Sequence, residues 1–263
     1  MIRYICFLLL VTVLFWKDAE AQDVLRFSTL NDNPPFSWTE GNIERGIDVD
    51  IVREAAKRAG YGVDFTLAPW KRLIGRITNG LDDGGMPLFY RPKREEFAIY
   101  TTVPVRMARF SMFVQKNGDE TRNYNGLAEF TGQRIGQVRG LGVSEGFRQS
   151  IKINQIKHKE VTSTDQGLQL LVRKRLDGFV NDTLTTQYMI AKMNLEMKIV
   201  IMAPEVNEGE GVFLVLSKKK YGEKGAAIAE KLDEALRSMY ADGTIISIIQ
   251  YYLGQTQKKP RMG

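Results

Sequence analysis

The stretch from Asp50 to Leu88, DIVREAAKRAGYGVDFTLAPWKRLIGRITNGLDDGGMPL, decides the fold. Helical spacing puts Ile51, Ala55, Ala56 and Ala59 on one face, and Gly60 stops that helix. Tyr61 to Leu67 alternates as a strand. Pro69 opens a second helix that runs to about Asn79 and ends at Gly80. Leu81 to Leu88 reads as the next strand, and Val24 to Thr29 as one ahead of the first helix. The order is βαβαβ, which calls for a parallel sheet covered by helices.

The grammar restarts downstream. Arg134–Val138 is a strand, Gly140-Leu141-Gly142 a tight turn, and Ser144 can cap a helix to about Asn154. Ile156–Val161 is a strand, Thr164 or Asp165 caps a helix to about Lys174, and Leu176–Val180 is a strand. Thr183–Met193 is then a helix and Met197–Met202 a further strand. Leu73 to Gly84 and Leu170 to Gly178 echo each other as a basic helix end, a Leu-Asp turn and a strand. Although α/β units share this grammar in general, the echo supports two similar lobes. The apolar runs Phe110–Val114 and Val212–Leu216 are placed as crossings between them, side by side as a hinge. Helices at Tyr221–Ala241 and Thr244–Leu253 pack back on the first lobe. The expected division is 22–110 for the first part of lobe 1, 111–215 for lobe 2, 216–254 for the rest of lobe 1, and a mobile tail at 255–263.

A length of 263 residues suits nearly two domains, and 43% hydrophobic with 26% charged residues excludes a disordered chain, a collagen-like repeat and a polytopic membrane protein. The net charge of +6 is spread along the chain, which argues against a nucleic-acid surface. One Cys and one His leave almost no room for a Cys/His metal site or a Cys–His or Ser–His catalytic pair. No cofactor or metal is expected, and the protein reads as a monomer. Arg3, the apolar run Tyr4–Trp16 and Ala19-Glu20-Ala21 describe a secretory signal peptide, residues 1–21, cut before Gln22. The run is too short to cross about 30 Å of hydrocarbon. Cys6 lies inside it, so the exported chain carries no cysteine and is held together by core packing alone.

Ligands bind at the carboxyl ends of parallel strands, so the loops there hold the candidates. Arg94, in Arg91-Pro92-Lys93-Arg94, is either a clamp for a carboxylate or a solvated basic turn. Gly140-Leu141-Gly142 before a helix start is either an anion site of backbone N–H groups or an ordinary strand-to-helix turn. Asp182, just past a buried strand, either receives an ammonium group or caps the next helix. Trp70 and Phe36, each beside a proline, either stack on a ligand or pack in the core. His158 reads as exposed and Asp48 as the cap of the following helix.

Gly46-Ile47-Asp48-Val49-Asp50-Ile51 followed by Ala55, Ala56 and Ala59 resembles the signature of the family 3 bacterial extracellular solute-binding proteins, the receptors for polar amino acids that feed ABC importers. The resemblance runs from Val24 to Leu253 and includes Ala241-Asp242-Gly243-Thr244. It implies a two-lobed α/β receptor of the periplasmic binding protein type II fold with a two-strand hinge, located in the periplasm and docking on a membrane permease. Arg94 falls on the arginine that clamps the ligand α-carboxylate, Asp182 on the acid that holds the α-ammonium, and Trp70 on a pocket-lining position. Three positions depart from the family pattern. Arg91 stands for the threonine of the T-x-x-R segment, Pro87 and Phe89 for small hydroxyl residues, and Gly140-Leu141 for Gly-Thr. The carboxylate clamp survives as Arg94 plus backbone amides. The ammonium pocket has lost hydroxyls and gained aromatic surface, which points to a bulkier or more apolar ligand or one that is not an α-amino acid. Arg91 and Arg139 alternatively favour an extra anionic group. The rival functions are a dehydratase of the cyclohexadienyl type, with Asp182 or Glu145 as acid or base, and a receptor that signals to a membrane sensor.

Overall fold

The computed structural model describes residues 23–117, 123–139, 145–206 and 209–255, with side chains omitted for 145–148 and 255. The signal peptide, the turn Gly140-Leu141-Gly142, the Ser144 cap and the tail beyond 255 lie outside the described residues.

The chain opens with β1 (Val24–Leu30), a short hairpin β2 (Trp38–Glu40) and β3 (Ile43–Arg45), then α1 (Ile47–Arg58), β4 (Gly62–Ala68), α2 (Trp70–Thr78) and β5 (Gly84–Phe89). β1 pairs in parallel with both β4 and β5, as the βαβαβ pattern requires. Three more strands complete this first sheet: β6 (Ala98–Tyr100), β7 (Arg106–Ala108) and, from much later in the chain, β13 (Glu210–Ser217). β13 runs antiparallel between β5 and β6 and also takes β7.

The second sheet is built from β8 (Phe110–Gln115), β9 (Arg134–Val138), β10 (Lys157–Val161), β11 (Gly178–Asp182) and β12 (Ile199–Ile201), in the order β10-β9-β11-β8-β12. β9, β10 and β11 are parallel, and β8 is antiparallel to its neighbours. Its helices are α3 (Glu145–Ile153), α4 (Thr164–Val172) and α5 (Thr183–Lys192). The chain ends with the single turn α6 (Lys218–Tyr221), α7 (Gly225–Ala241) and α8 (Thr244–Gln255).

Several expectations are corrected. The run Val212–Leu216 is not a crossing but part of β13, inside the first sheet, and Phe110–Val114 belongs to the second. The crossings fall just before each run, at 108–110 and, among the described residues, at 202–206 and 209–210, so the second lobe ends ahead of residue 215. They still run side by side, since Val206 N–H donates to Phe110 O at 2.7 Å. The helix expected over Tyr221–Ala241 is broken by a 3-10 turn at Gly222–Lys224, where Gly222 takes φ 51°. α4 is capped by Ser163, whose side chain accepts from Gln166 N–H. α1 begins at Ile47 behind Gly46, so Asp48 lies inside the helix and does not cap it. Gly46 has φ 134°, and a Cβ there would lie 2.1 Å from Phe36 O, so the turn tolerates only glycine.

The first sheet is packed on both faces. Phe27, Ile47, Ile51, Leu214, Leu232 and Leu236 belong to the core under α1, α7 and α8, and Leu73, Ile77, Leu88 and Val215 to the core under α2. At the amino ends of its strands, buried Asp82 accepts from Arg76 Nε and Nη2 at 2.6 and 2.7 Å and from the Ser28 hydroxyl. At the far end of the chain, Tyr252 staples α8 to the start of α1. Its phenol oxygen accepts from Gly46 N–H at 3.0 Å and donates to Asp50.

Candidate functional site

Register brings the carboxyl ends of both parallel sets to the crossing. Val212 is the partner of Phe89, the last residue of β5, and also of Arg106 in β7. Asp182, the last residue of β11, is the partner of Phe110 in β8. Arg106 and Phe110 are four residues apart, a span of about 13 Å at roughly 3.3 Å per extended residue. Strand ends from two sheets therefore flank one short segment of chain.

On the first sheet, Arg94 sits in a 3-10 turn, Pro92–Glu96, that follows β5. Its Nη1 donates to Phe89 O at 2.8 Å, and its Cζ lies 5.2 Å from the Trp70 ring centroid. Tyr100 donates to the same carbonyl at 3.1 Å. Burial raises the Tyr100 phenol, and the neighbouring Arg94 guanidinium opposes that. Trp70, the first residue of α2, is 39% exposed. The structure thus gathers Arg94, Trp70 and Phe89. Among the described residues no carboxylate forms an ion pair with Arg94. Arg91 is different, because it pairs with Glu210 while its Cζ lies 5.5 Å from the Phe89 ring centroid.

On the second sheet, Asp182 caps α5. Its Oδ1 accepts from Thr185 N–H and Oγ1, each at 2.8 Å, which leaves Oδ2 outside the cap. Asp182 and Arg94 stand on separate sheets, and no bond joins them. The backbone amides expected at Gly140, Leu141 and Gly142 lie outside the described residues.

Two readings are corrected. Phe36 is 4% exposed and belongs to the core of the first lobe, so it offers no stacking face to a ligand. Asp48 is not a helix cap but a buried carboxylate, bonded to Arg106 Nε at 2.7 Å and Nη2 at 3.4 Å. The Arg106 guanidinium stacks 3.5 Å from the Phe36 ring centroid, and among the described residues its Nη1 has no hydrogen-bond partner. Burial raises the Asp48 carboxyl against the pull of Arg106, and the nearby Asp182 charge adds to the rise. Sequence reasoning missed Arg106. The only signal was a single charge in the run Val103-Pro104-Val105-Arg106-Met107-Ala108.

Residues 25–255 match the bacterial extracellular solute-binding proteins, family 3. The chain belongs to that family. Among relatives, the L-cystine-binding protein TcyA of Bacillus subtilis is 23% identical, covering 93% of this chain and 86% of the relative. The putative amino-acid ABC transporter-binding protein PatH of Vibrio harveyi is 23% identical over 84% of each. Substrate-binding domain 2 of Lactococcus lactis GlnP, in an open conformation, superposes with a TM-score of 0.73 at 18% identity, covering 89% of this chain and 97% of that one. The two-sheet architecture is the type II periplasmic binding protein fold, the fold of this solute-binding family. Among the described residues, no helix is long and apolar enough to cross a membrane.

Proposed function

We infer that this family 3 protein is an exported receptor that captures a small carboxylate-bearing solute, an amino acid or close relative, and delivers it to an ABC importer's permease. The observation that carries the reading is Arg94, a guanidinium at a strand's carboxyl end, stacked on an exposed tryptophan and, among the described residues, without a carboxylate of its own. A ligand carboxylate supplies what is missing, with charge-assisted bonds as the gain. Asp182 Oδ2 takes the ammonium from the other lobe, and Trp70 and Phe89 line the space beside it. The names of the relatives support the solute class and the transporter, and they describe binding proteins rather than enzymes.

The paired crossings act as the hinge. Ligand held by one lobe favours closure to the extent that it gains contacts with the other, since only differential affinity shifts a conformational equilibrium. Delivery to the periplasm follows from the signal peptide, and the protein works as a monomer without catalysis. The test is calorimetry on Arg94→Ala/Asp182→Ala. Two charged contacts at about 1.5–3 kcal/mol each predict a loss of more than about a hundredfold in affinity. Unchanged affinity rejects this site.

A further inference from the structure

The charges around the crossing are almost all spoken for. Arg91, the extra cation of the first wall, is held by Glu210. Arg109 faces Glu205 at 3.3 Å, and Arg139 faces Glu160 at 3.2 Å. Asp48 is matched by Arg106. Asp32 lines a separate cavity of about 370 Å³ together with Lys192. Lys192 is the last residue of α5, and Asp182 caps the first turn of that helix. The length of α5, about 15 Å at 1.5 Å per residue, therefore separates that cavity from the site. Lys71, Arg72 and Lys93, beside Trp70 and Arg94 in the chain, are exposed to solvent, and the half-buried charges at the two strand ends are Arg94 and Asp182. The surroundings of Arg94 are aromatic: Trp70 under its own guanidinium, and Phe89 with the Arg91 guanidinium 5.5 Å from its ring centroid.

We propose that the ligand's side chain is uncharged and largely apolar, as in a large aliphatic or aromatic amino acid, and that the Arg91–Glu210 pair enforces this choice. The proposal rests on the reading above, in which Arg94 and Asp182 take the α-carboxylate and α-ammonium. With those two charges used, a basic or acidic side chain finds no buried counter-charge left among the described residues, and an uncompensated charge leaving water is costly. An apolar side chain gains contact with Trp70 and Phe89 instead. Arg91 is the position at which an acidic side chain finds a partner, and Glu210 occupies it. Specificity is a difference of affinities, so a pre-paired cation rejects acidic ligands without touching apolar ones.

The experiment is a calorimetric titration of the full exported chain with phenylalanine, leucine, methionine, arginine, histidine, glutamate, 3-phenylpropionate and phenethylamine. The expected result is that an apolar amino acid binds at least about tenfold tighter than arginine, histidine or glutamate, a gap of about 1.4 kcal/mol. Tighter binding of a charged side chain overturns the proposal while leaving the amino-acid receptor standing. Binding of 3-phenylpropionate as tight as that of phenylalanine removes the ammonium role of Asp182 but upholds the apolar side chain. Binding of none of the eight overturns the apolar side chain, while the receptor reading stands or falls with the Arg94→Ala/Asp182→Ala variant. A second variant, Glu210→Gln, frees Arg91 and is expected to raise glutamate affinity relative to phenylalanine by about tenfold. An unchanged ratio refutes the part assigned to the pair.

Discussion

Asp48→Asn keeps the shape of the side chain and removes the charge that Arg106 needs. Both members are buried, with side chains 1% and 6% exposed, so water cannot replace the lost partner. Among the described residues Arg106 Nη1 already lacks an acceptor, and the substitution would weaken the bonds of Nε and Nη2 as well. Burial raises the Asp48 carboxyl against the pull of Arg106, and the substitution leaves the buried guanidinium without its counter-charge. Breaking a buried pair from one side costs about 3–5 kcal/mol. The Phe36 ring, 3.5 Å away, keeps roughly 2 kcal/mol of attraction for the cation and sets the expectation at the low end, about 3 kcal/mol. For a chain of this size each kcal/mol moves Tm by about 2–4 °C, so calorimetry should read a fall of about 6–12 °C. Asp48→Leu with Arg106→Met removes both charges and is expected to recover most of the loss. A single variant within about 1 kcal/mol of wild type, or a double variant as unstable as the sum of the singles, refutes the reasoning.

Two further outcomes follow from the first sheet. Burial pushes the Asp82 carboxyl up, but the Arg76 and Ser28 bonds outweigh it and hold the group below the usual carboxylate range. A depressed folded value means that Asp82 stabilises the protein above the unfolded carboxylate value, about 3.9, and that this is lost as pH falls through the folded value. Asp82→Asn should therefore be less stable than wild type at pH 7, with a gap in urea midpoint that closes in acid. A gap that persists at pH 2 argues against the linkage. Gly84→Ala places a Cβ 1.9 Å from Val215 O, where β13 joins β5. It is expected to destabilise by more than about 3 kcal/mol or to prevent soluble expression, and a wild-type Tm contradicts the tight strand approach.

The α/β grammar was legible because it is local. Helical spacing at Ile51–Ala59, a proline before α2 and a glycine after it placed each element within a few residues. β2, β3, β6, β7 and β12 have three residues each, too few to carry a period, and all but β12 went unread. The place of β13 depends on strands more than a hundred positions upstream, which no window of sequence displays. Arg94 and Trp70 were legible from the strand-end loops, and the structure puts them in contact. Asp48 was misread as a helix cap, and of the two alternatives for Phe36 the structure bears out core packing. Their partner, Arg106, is 58 residues from Asp48, and only the fold reveals that both pack against the same guanidinium.

The late arrival of β13 orders assembly. All strands of the second sheet lie between Phe110 and Ile201, so that lobe can complete itself from contiguous chain. The first lobe cannot, because β5 has no neighbour on one edge until Glu210–Ser217 has been made, and Gly46 lacks its phenol until Tyr252. A chain emerging amino end first thus finishes its middle before its beginning, and the half carrying Arg94 is closed last, by the final turns of the polypeptide.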